Sequence, residues 1–396
     1  MRKKMISALL SGVLAVGMLA GCLPVSASAT SSEEAVSSVA EAASAESLPD
    51  SAEETAPLTG DISKLKVGMI LNVSHDDGGF NQAEYDAFQR SMKDLGLSDD
   101  QFIYVEGVSE ETVATTNAVE QMVDNGCNMI IGGSTGYAPI LSDLAKKYPD
   151  VQFVQVGVPA DNLITYHIRA YDAMYVIGYL MAEMSDSDQL GYVAGMSEAS
   201  VRFSVNGFAL GAKAYNKNAT VNLLWANSWY DPAAETECAN TLIASGIKYI
   251  GAGTTSSGVA QACQSAGAFC TGYDVDHTAY APQSVAASFV FNWTPIYDDI
   301  VTNYVNSDYK VTVNNYFWGA EHDCAQIVFN KDIIPDQALA DAEKVQEDIA
   351  SGKIDVYAGE LKDNEGNVLV EEGKTMPDDE ILNQEFLVDN VKGTWK

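Results

Sequence analysis

From Lys66 onward, short apolar runs alternate with longer stretches of helical periodicity. "KVGMILNV" predicts a strand, and Ala83 to about Leu95 an amphipathic helix. The pattern repeats with "QFIYVEG" and the helix in "ETVATTNAVEQMVDNG", stopped by Gly126. It repeats again with "NMIIGG" and "APILSDLAKKYPD", which ends near Pro149. The strands "VQFVQVG" and "LITYHIR" follow, then a helix from about Tyr171 to Met184. The rhythm restarts with "LGYVAG", "SVRFSVNGFALGAKAYN", "TVNLLWAN", "AAETECANTLIASG", "IKYIGAG", "SSGVAQACQSAG" and "AFCTGYD". Apolar strands bounded by helices imply parallel sheets covered on both faces. Two such runs in succession predict two doubly wound α/β lobes.

The N-terminus breaks this pattern. Met1-Arg2-Lys3-Lys4 is a basic start, and "MISALLSGVLAVGMLA" is an apolar stretch placed where a signal peptide belongs. It ends in "LAGC", so Cys22 is expected to be the lipid-modified first residue of a bacterial lipoprotein, anchored to the extracytoplasmic face of the cell membrane without spanning it. Residues 22–63 are rich in Ser, Ala and Glu, with no Lys or Arg before Lys64. Such a segment buries too little apolar surface to order itself and predicts a disordered tether.

The net charge is −33, and removal of residues 1–21 takes away Arg2, Lys3 and Lys4 and no acid, leaving −36. This argues against nucleic acid and anionic lipid headgroups as partners. After Cys22, five cysteines remain, without zinc-type spacing, and read as small buried apolar residues. Cys263 and Cys270 are the one nearby pair.

In doubly wound sheets ligands bind beyond the carboxyl ends of the strands. Here those loops read "SHDDGGFN", "GGSTGY", "VGVPADN", "AGMSEAS", "ANSWYDP", "AGTTSS" and "GYDVDH", without a Lys or Arg; only Arg169 and Arg202 lie close by. A phosphate cradle is disfavoured, because "SHDDGGFN" lacks the GxGxxG spacing and Asp76 and Asp77 would repel the anion. His75, Asp76 and Asp77, with Asp274, Asp276 and His277, could supply metal ligands, but no metal-loop spacing is present. Asp76, Asp77 and Asp274 could perform acid–base work in a surface-tethered, nucleoside-cleaving hydrolase, yet nothing like GxSxG surrounds a Ser. A clamp for a flat neutral ligand fits better. Phe80 and Trp229 offer ring faces, Asn81 a donor and an acceptor, and Asp274 a carboxylate.

The motifs "DGGFNQ", "GGSTGY" with "AKKYPDVQF", "VNGFALGAK", "ANSWYDPAAE", "GYDVD", "FNWTPIYDDIV", "YFWGAEHD" and "YAGELKDNEGNVLVEEG" occur in that order from about Lys66 to the C-terminus. In order and spacing the chain resembles the basic membrane protein family of lipoproteins, the purine-nucleoside-receptor-like substrate-binding proteins of ABC transporters. The resemblance implies a periplasmic-binding-protein type I-like α/β fold, two doubly wound parallel-sheet lobes joined by a multi-crossing hinge. The lobes are expected at residues 64–185 plus about 286–322, and 186–285 plus about 323–396.

It implies a monomeric receptor without catalytic residues, cofactor or metal, handing a purine nucleoside or nucleobase to an ABC permease; a sugar or other small polar metabolite is the alternative on the same fold. Asp77, Phe80 and Asn81 match its signature, with Phe80 stacking on the base and Asn81 bonding its edge. Asp274 matches the Asp that takes ribose hydroxyls, Trp229 faces the base from the other lobe, and Ser134 and Tyr137 match the loop after the third strand. One position departs: Gly157 stands where nucleoside-binding members tend to carry an Asp, which makes a free base a serious option.

Overall fold

The computed structural model describes residues 56–157 and 159–395. The expected signal peptide, the lipidation site Cys22 and most of the tether lie outside those residues. In chain order the first elements are β1 (Val67–Ile70), α1 (Phe80–Leu95), β2 (Phe102–Val105), α2 (Thr112–Asp124), β3 (Met129–Gly132), α3 (Ala138–Lys147), β4 (Gln152–Val156) and β5 (Ile164–Ile168). Then come α4 (Ala170–Met184), β6 (Gln189–Ala194), α5 (Ala199–Tyr215), β7 (Thr220–Trp225), α6 (Pro232–Ala244), β8 (Tyr249–Gly253), α7 (Gly258–Ala266) and β9 (Phe269–Gly272). The chain finishes with β10 (Val285–Phe291), α8 (Thr294–Asn306), β11 (Asn314–Trp318), β12 (Ala325–Phe329), α9 (Asp336–Ala350), the hairpin β13 (Leu361–Lys362) and β14 (Val368–Val370), α10 (Asp378–Leu382) and β15 (Val391–Lys392).

One sheet has the order β11-β5-β4-β3-β1-β2 and the other β12-β10-β9-β8-β6-β7-β15. Every pairing in these two sheets is parallel except β10 with β12, which is antiparallel. β1, β3, β4 and β5 are buried along their whole length, as strands covered by helices on both faces must be. No helix among the described residues is long and apolar enough to cross a membrane.

The chain passes between the sheets three times: at Arg169 after β5, between β10 and α8, and between β11 and β12. Two of these places differ from the expected boundaries. Helix α4, expected with the first lobe, packs on α5 and α9 of the second. Gly178 and Gly211 allow this, because a Cβ at either would strike the backbone of the opposing helix at Phe208 or Tyr175. Strand β10 also belongs to the second sheet, so the second crossing falls after Phe291 rather than near 286. The end of the expected tether is docked as well. Asn306 Oδ1 accepts from the Thr59 and Gly60 backbone at 2.7 and 3.0 Å, and the Tyr309 hydroxyl donates to the Asp61 carbonyl at 2.6 Å.

Candidate ligand-binding site

The loop from Ser74 to Gly79 is held by its own side chains. Asp77 accepts the backbone N–H groups of Gly79, Asn81 and Gln82 at 2.8, 3.2 and 3.1 Å, which satisfies the free donors at the start of α1. Its Oδ2 also accepts from Asn81 Nδ2 at 2.9 Å. Asp77 thus caps the helix and aims Asn81, and both of its oxygens are engaged. At the other end Gly96, at φ 76°, closes α1, while the Leu97 N–H reaches the Met92 carbonyl at 2.8 Å.

Between the two sheets' carboxyl ends lies a cavity of about 120 Å³. Asp77, Phe80, Asn81 and Ser134 line it from the first lobe, and Trp229 and Asp274 from the second. Phe80 stands edge-on to Phe291 at 5.5 Å, and Phe291 is another wall residue. Trp229 is 41% exposed, which puts it at the mouth with the neighbouring Tyr230. Ser134 donates to the Glu110 carboxylate and lies 3.4 Å from Asn72 Nδ2.

Tyr137 is not in the wall. Its ring is buried in a separate apolar cluster with Ile140 and Leu141, and its hydroxyl donates to the Val108 carbonyl at 2.7 Å. The sequence places it beside Ser134, but the short helical turn Thr135–Tyr137 swings it to the far side of the sheet end.

Several other wall residues carry little signal in the sequence. Thr254 and Thr255 sit in the "AGTTSS" loop, recognisable as a strand end but without a charged or aromatic side chain to single it out. His167 lies within a strand buried along its whole length and reads as core, yet it reaches the cavity. Tyr273 and Phe291 line it too, with Tyr273 fixed by a 2.8 Å hydrogen bond to Ser204.

No Lys or Arg lines the cavity. Arg169 pairs with Glu321 at the hinge, and Arg202 donates to the carbonyls of Gln384 and Ser197 at 2.8 and 2.6 Å. Burial pushes the Asp274 carboxyl up to about 8, with Asp77 and Glu235 adding to the rise and a Thr255 hydrogen bond opposing it. It is therefore largely protonated at neutral pH, able both to donate and to accept. Burial likewise holds the His167 imidazole down at about 4, so it is neutral.

The lips of the cleft touch. A Cβ on Gly79 would fall on Thr255 Cγ2, and the Thr135 hydroxyl meets the Glu198 carboxyl across the gap. Two of the other metal-ligand candidates are engaged locally: His75 Nδ1 sits 2.7 Å from Glu106, and Asp276 accepts from Thr278 and Ser288. Among the described residues no group of three or more His, Cys, Asp or Glu is placed to hold a metal ion.

This geometry suits the non-covalent capture of a small uncharged molecule. Residues 64–360 match the family model of the PnrA-like ABC transporter substrate-binding proteins. A purine-binding protein of Brucella abortus (strain 2308) is 29% identical over 331 residues, covering 83% of this chain and 93% of its own. A Haloferax volcanii protein, provisionally named an ABC transporter glucose-binding protein, is 26% identical over 74% of each chain. Among solved structures, an ABC transporter solute-binding protein from Conexibacter woesei superposes with a TM-score of 0.61 at 20% identity, over 74% of this chain and 98% of its own. The chain belongs to the PnrA-like family of ABC transporter substrate-binding proteins.

Proposed function

We propose that the protein captures a free purine base between its two lobes and delivers it to an ABC permease, held at the membrane by a lipid on Cys22. The observation that carries the reading is the size and charge of the closed cavity. An apolar cavity of about 150 Å³ accepts a benzene ring, so about 120 Å³ is the scale of one flat ring system rather than of a base with its sugar. The absence of Lys and Arg from the wall disfavours a phosphate or other anion. Phe80 and Phe291 supply apolar faces, and Asn81, His167, Thr254 and Asp274 supply a few fixed polar groups, the composition expected of a pocket for a heteroaromatic ring.

Gly157 supports the base over the nucleoside. It has φ 139°, where an Asp side chain would be strained, so this position offers no carboxylate to ribose hydroxyls. Phe80 and Trp229 also weigh against a sugar, which would need a wall richer in hydrogen-bonding groups. Ligand binding needs no reaction: a ligand touching both lobes favours the closed state by its contacts with the second lip.

The test is a thermal-shift survey of purine bases, their nucleosides and glucose, with each mixture analysed for products. Stabilisation by bases, with the bases recovered intact, is expected. Stabilisation by glucose alone, or cleavage of a nucleoside, overturns the proposal.

A further inference from the structure

Two wall residues, Asn81 and His167, have the hydrogen-bonding sense of their side chains fixed by neighbours. Asn81 is 4% exposed, and its Nδ2 donates to Asp77 Oδ2 at 2.9 Å. The same oxygen accepts the Asn81 backbone N–H at 3.2 Å, so it acts as an acceptor toward Asn81 and holds the NH2 side of the amide toward itself. Its Oδ1 is buried without a partner. His167 is 6% exposed, and its Nδ1 lies 3.0 Å from the Ile168 carbonyl. A carbonyl also only accepts, so Nδ1 carries the proton and Nε2 is a bare acceptor. The neutrality of the ring keeps it so.

The remaining wall groups are less particular. Thr254 Oγ1 is buried without a partner and can donate or accept. The protonated Asp274 carboxyl can do both at once. Asp77 has its oxygens occupied by α1. Among these buried side chains the unmet demand is therefore for donors, while the Trp229 indole N–H at the mouth is itself a donor.

Resting on the purine reading above, we infer that Asn81 and His167 form an acceptor pair that selects amino-bearing purines, adenine or guanine, over the amino-free hypoxanthine. The three bases have nearly the same shape, so packing against Phe80 and Phe291 separates them little. Exchanging the 6-amino group of adenine for the 6-oxo group of hypoxanthine replaces two outward N–H donors by an acceptor, with one ring N–H gained in return. Guanine exceeds hypoxanthine by its 2-amino group alone. A buried acceptor that meets no donor loses its water and gains nothing, which is the cost that discriminates. His167 acts here as a specificity residue contributed by β5, a strand whose burial otherwise reads as core.

The experiment is calorimetric titration of the full-length protein with adenine, guanine and hypoxanthine. Adenine and guanine should bind about tenfold or more tighter than hypoxanthine, the effect of one unpaired buried acceptor. The same titrations on His167→Phe, which keeps a ring against Phe203 and Phe317 but removes the acceptor, should narrow that ratio several-fold. Hypoxanthine binding as tightly as the amino purines overturns the acceptor pair while leaving the purine reading intact. An unchanged ratio in His167→Phe overturns the role of His167. Failure of all three bases to bind overturns the purine reading itself, and the inference with it.

Discussion

Asp77 and Asn81 act as one unit: the carboxylate that caps α1 also accepts the Asn81 side-chain amide at 2.9 Å. The residue that starts the helix therefore orients a residue of the cavity wall. Asp77→Ala should lower stability by about 1 kcal/mol, as loss of a helix cap does. It should also weaken purine binding about tenfold through the released Asn81 amide. Thermal melts and titrations check the two effects separately. A lowered melting temperature with unchanged affinity would show that Asn81 is positioned by something else.

Gly79 tests the closed cleft. It precedes α1 at φ −156° and ψ −130°. The methyl of Gly79→Ala would meet Thr255 Cγ2 across the gap. Affinity should fall. Thr255→Ser in the same chain removes that methyl and keeps the hydroxyl for Asp274. It should restore part of the affinity. A double variant no better than Gly79→Ala would contradict this contact.

Glu84 sets a pH dependence of stability. One turn beyond Asn81, it is fully buried, and its Oε2 accepts from the Tyr166 hydroxyl at 2.9 Å and from the Tyr297 hydroxyl. Burial raises its carboxyl from an ordinary value of 4.5 to about 8, against the two tyrosine hydrogen bonds. Below 4.5 the folded and unfolded states both hold the proton, and the full stability is present. Between 4.5 and 8 the unfolded chain releases it while the folded one keeps it, so stability falls as pH rises. Other buried carboxyls such as Asp172 and Asp274 shift the same way, so the difference between chains is what counts. Glu84→Gln, always neutral, should show a shallower fall in melting temperature from pH 4.5 to 8 than the parent chain. Parallel slopes would remove Glu84 from the account.

Asp274 should bind its ligand as the neutral acid. It sits at φ 71°, a conformation that Asn tolerates and Gly adopts freely. Asp274→Asn retains a donor and an acceptor without charge and should keep affinity within a few-fold. Asp274→Gly should lose about tenfold or more. In the parent chain, affinity should decline as pH rises through about 8, where the carboxyl ionises. Flat affinity from pH 6 to 9 would contradict the neutral-acid role.

The alternation of apolar runs and helical stretches in the sequence foreshadows the parallel sheets, because strands covered on both faces carry few polar residues. It does not show the lobe to which an element belongs. α4 has apolar residues on nearly every side, a sign of deep burial but not of the partner helix; the glycines that admit it to α5 are informative only in space. Nor does the alternation show that β12 runs antiparallel to β10. Within the cavity, aromatic and carboxylate residues in strand-end loops were legible because such residues stand out against Ser and Gly. His167 and Thr254 were not, since their significance lies in hydrogen bonds left unmade. Tyr137 shows the converse: a side chain of suitable chemistry in a suitable loop, turned into the core by one short helical turn.

The most direct test of the central claim is a titration of the full-length protein with adenine and adenosine side by side, followed by recovery of both compounds. The account predicts adenine bound well ahead of adenosine and both recovered intact, since the proposed function is capture of one flat ring system without a reaction. Adenosine bound more tightly than adenine, or converted to products, would contradict it.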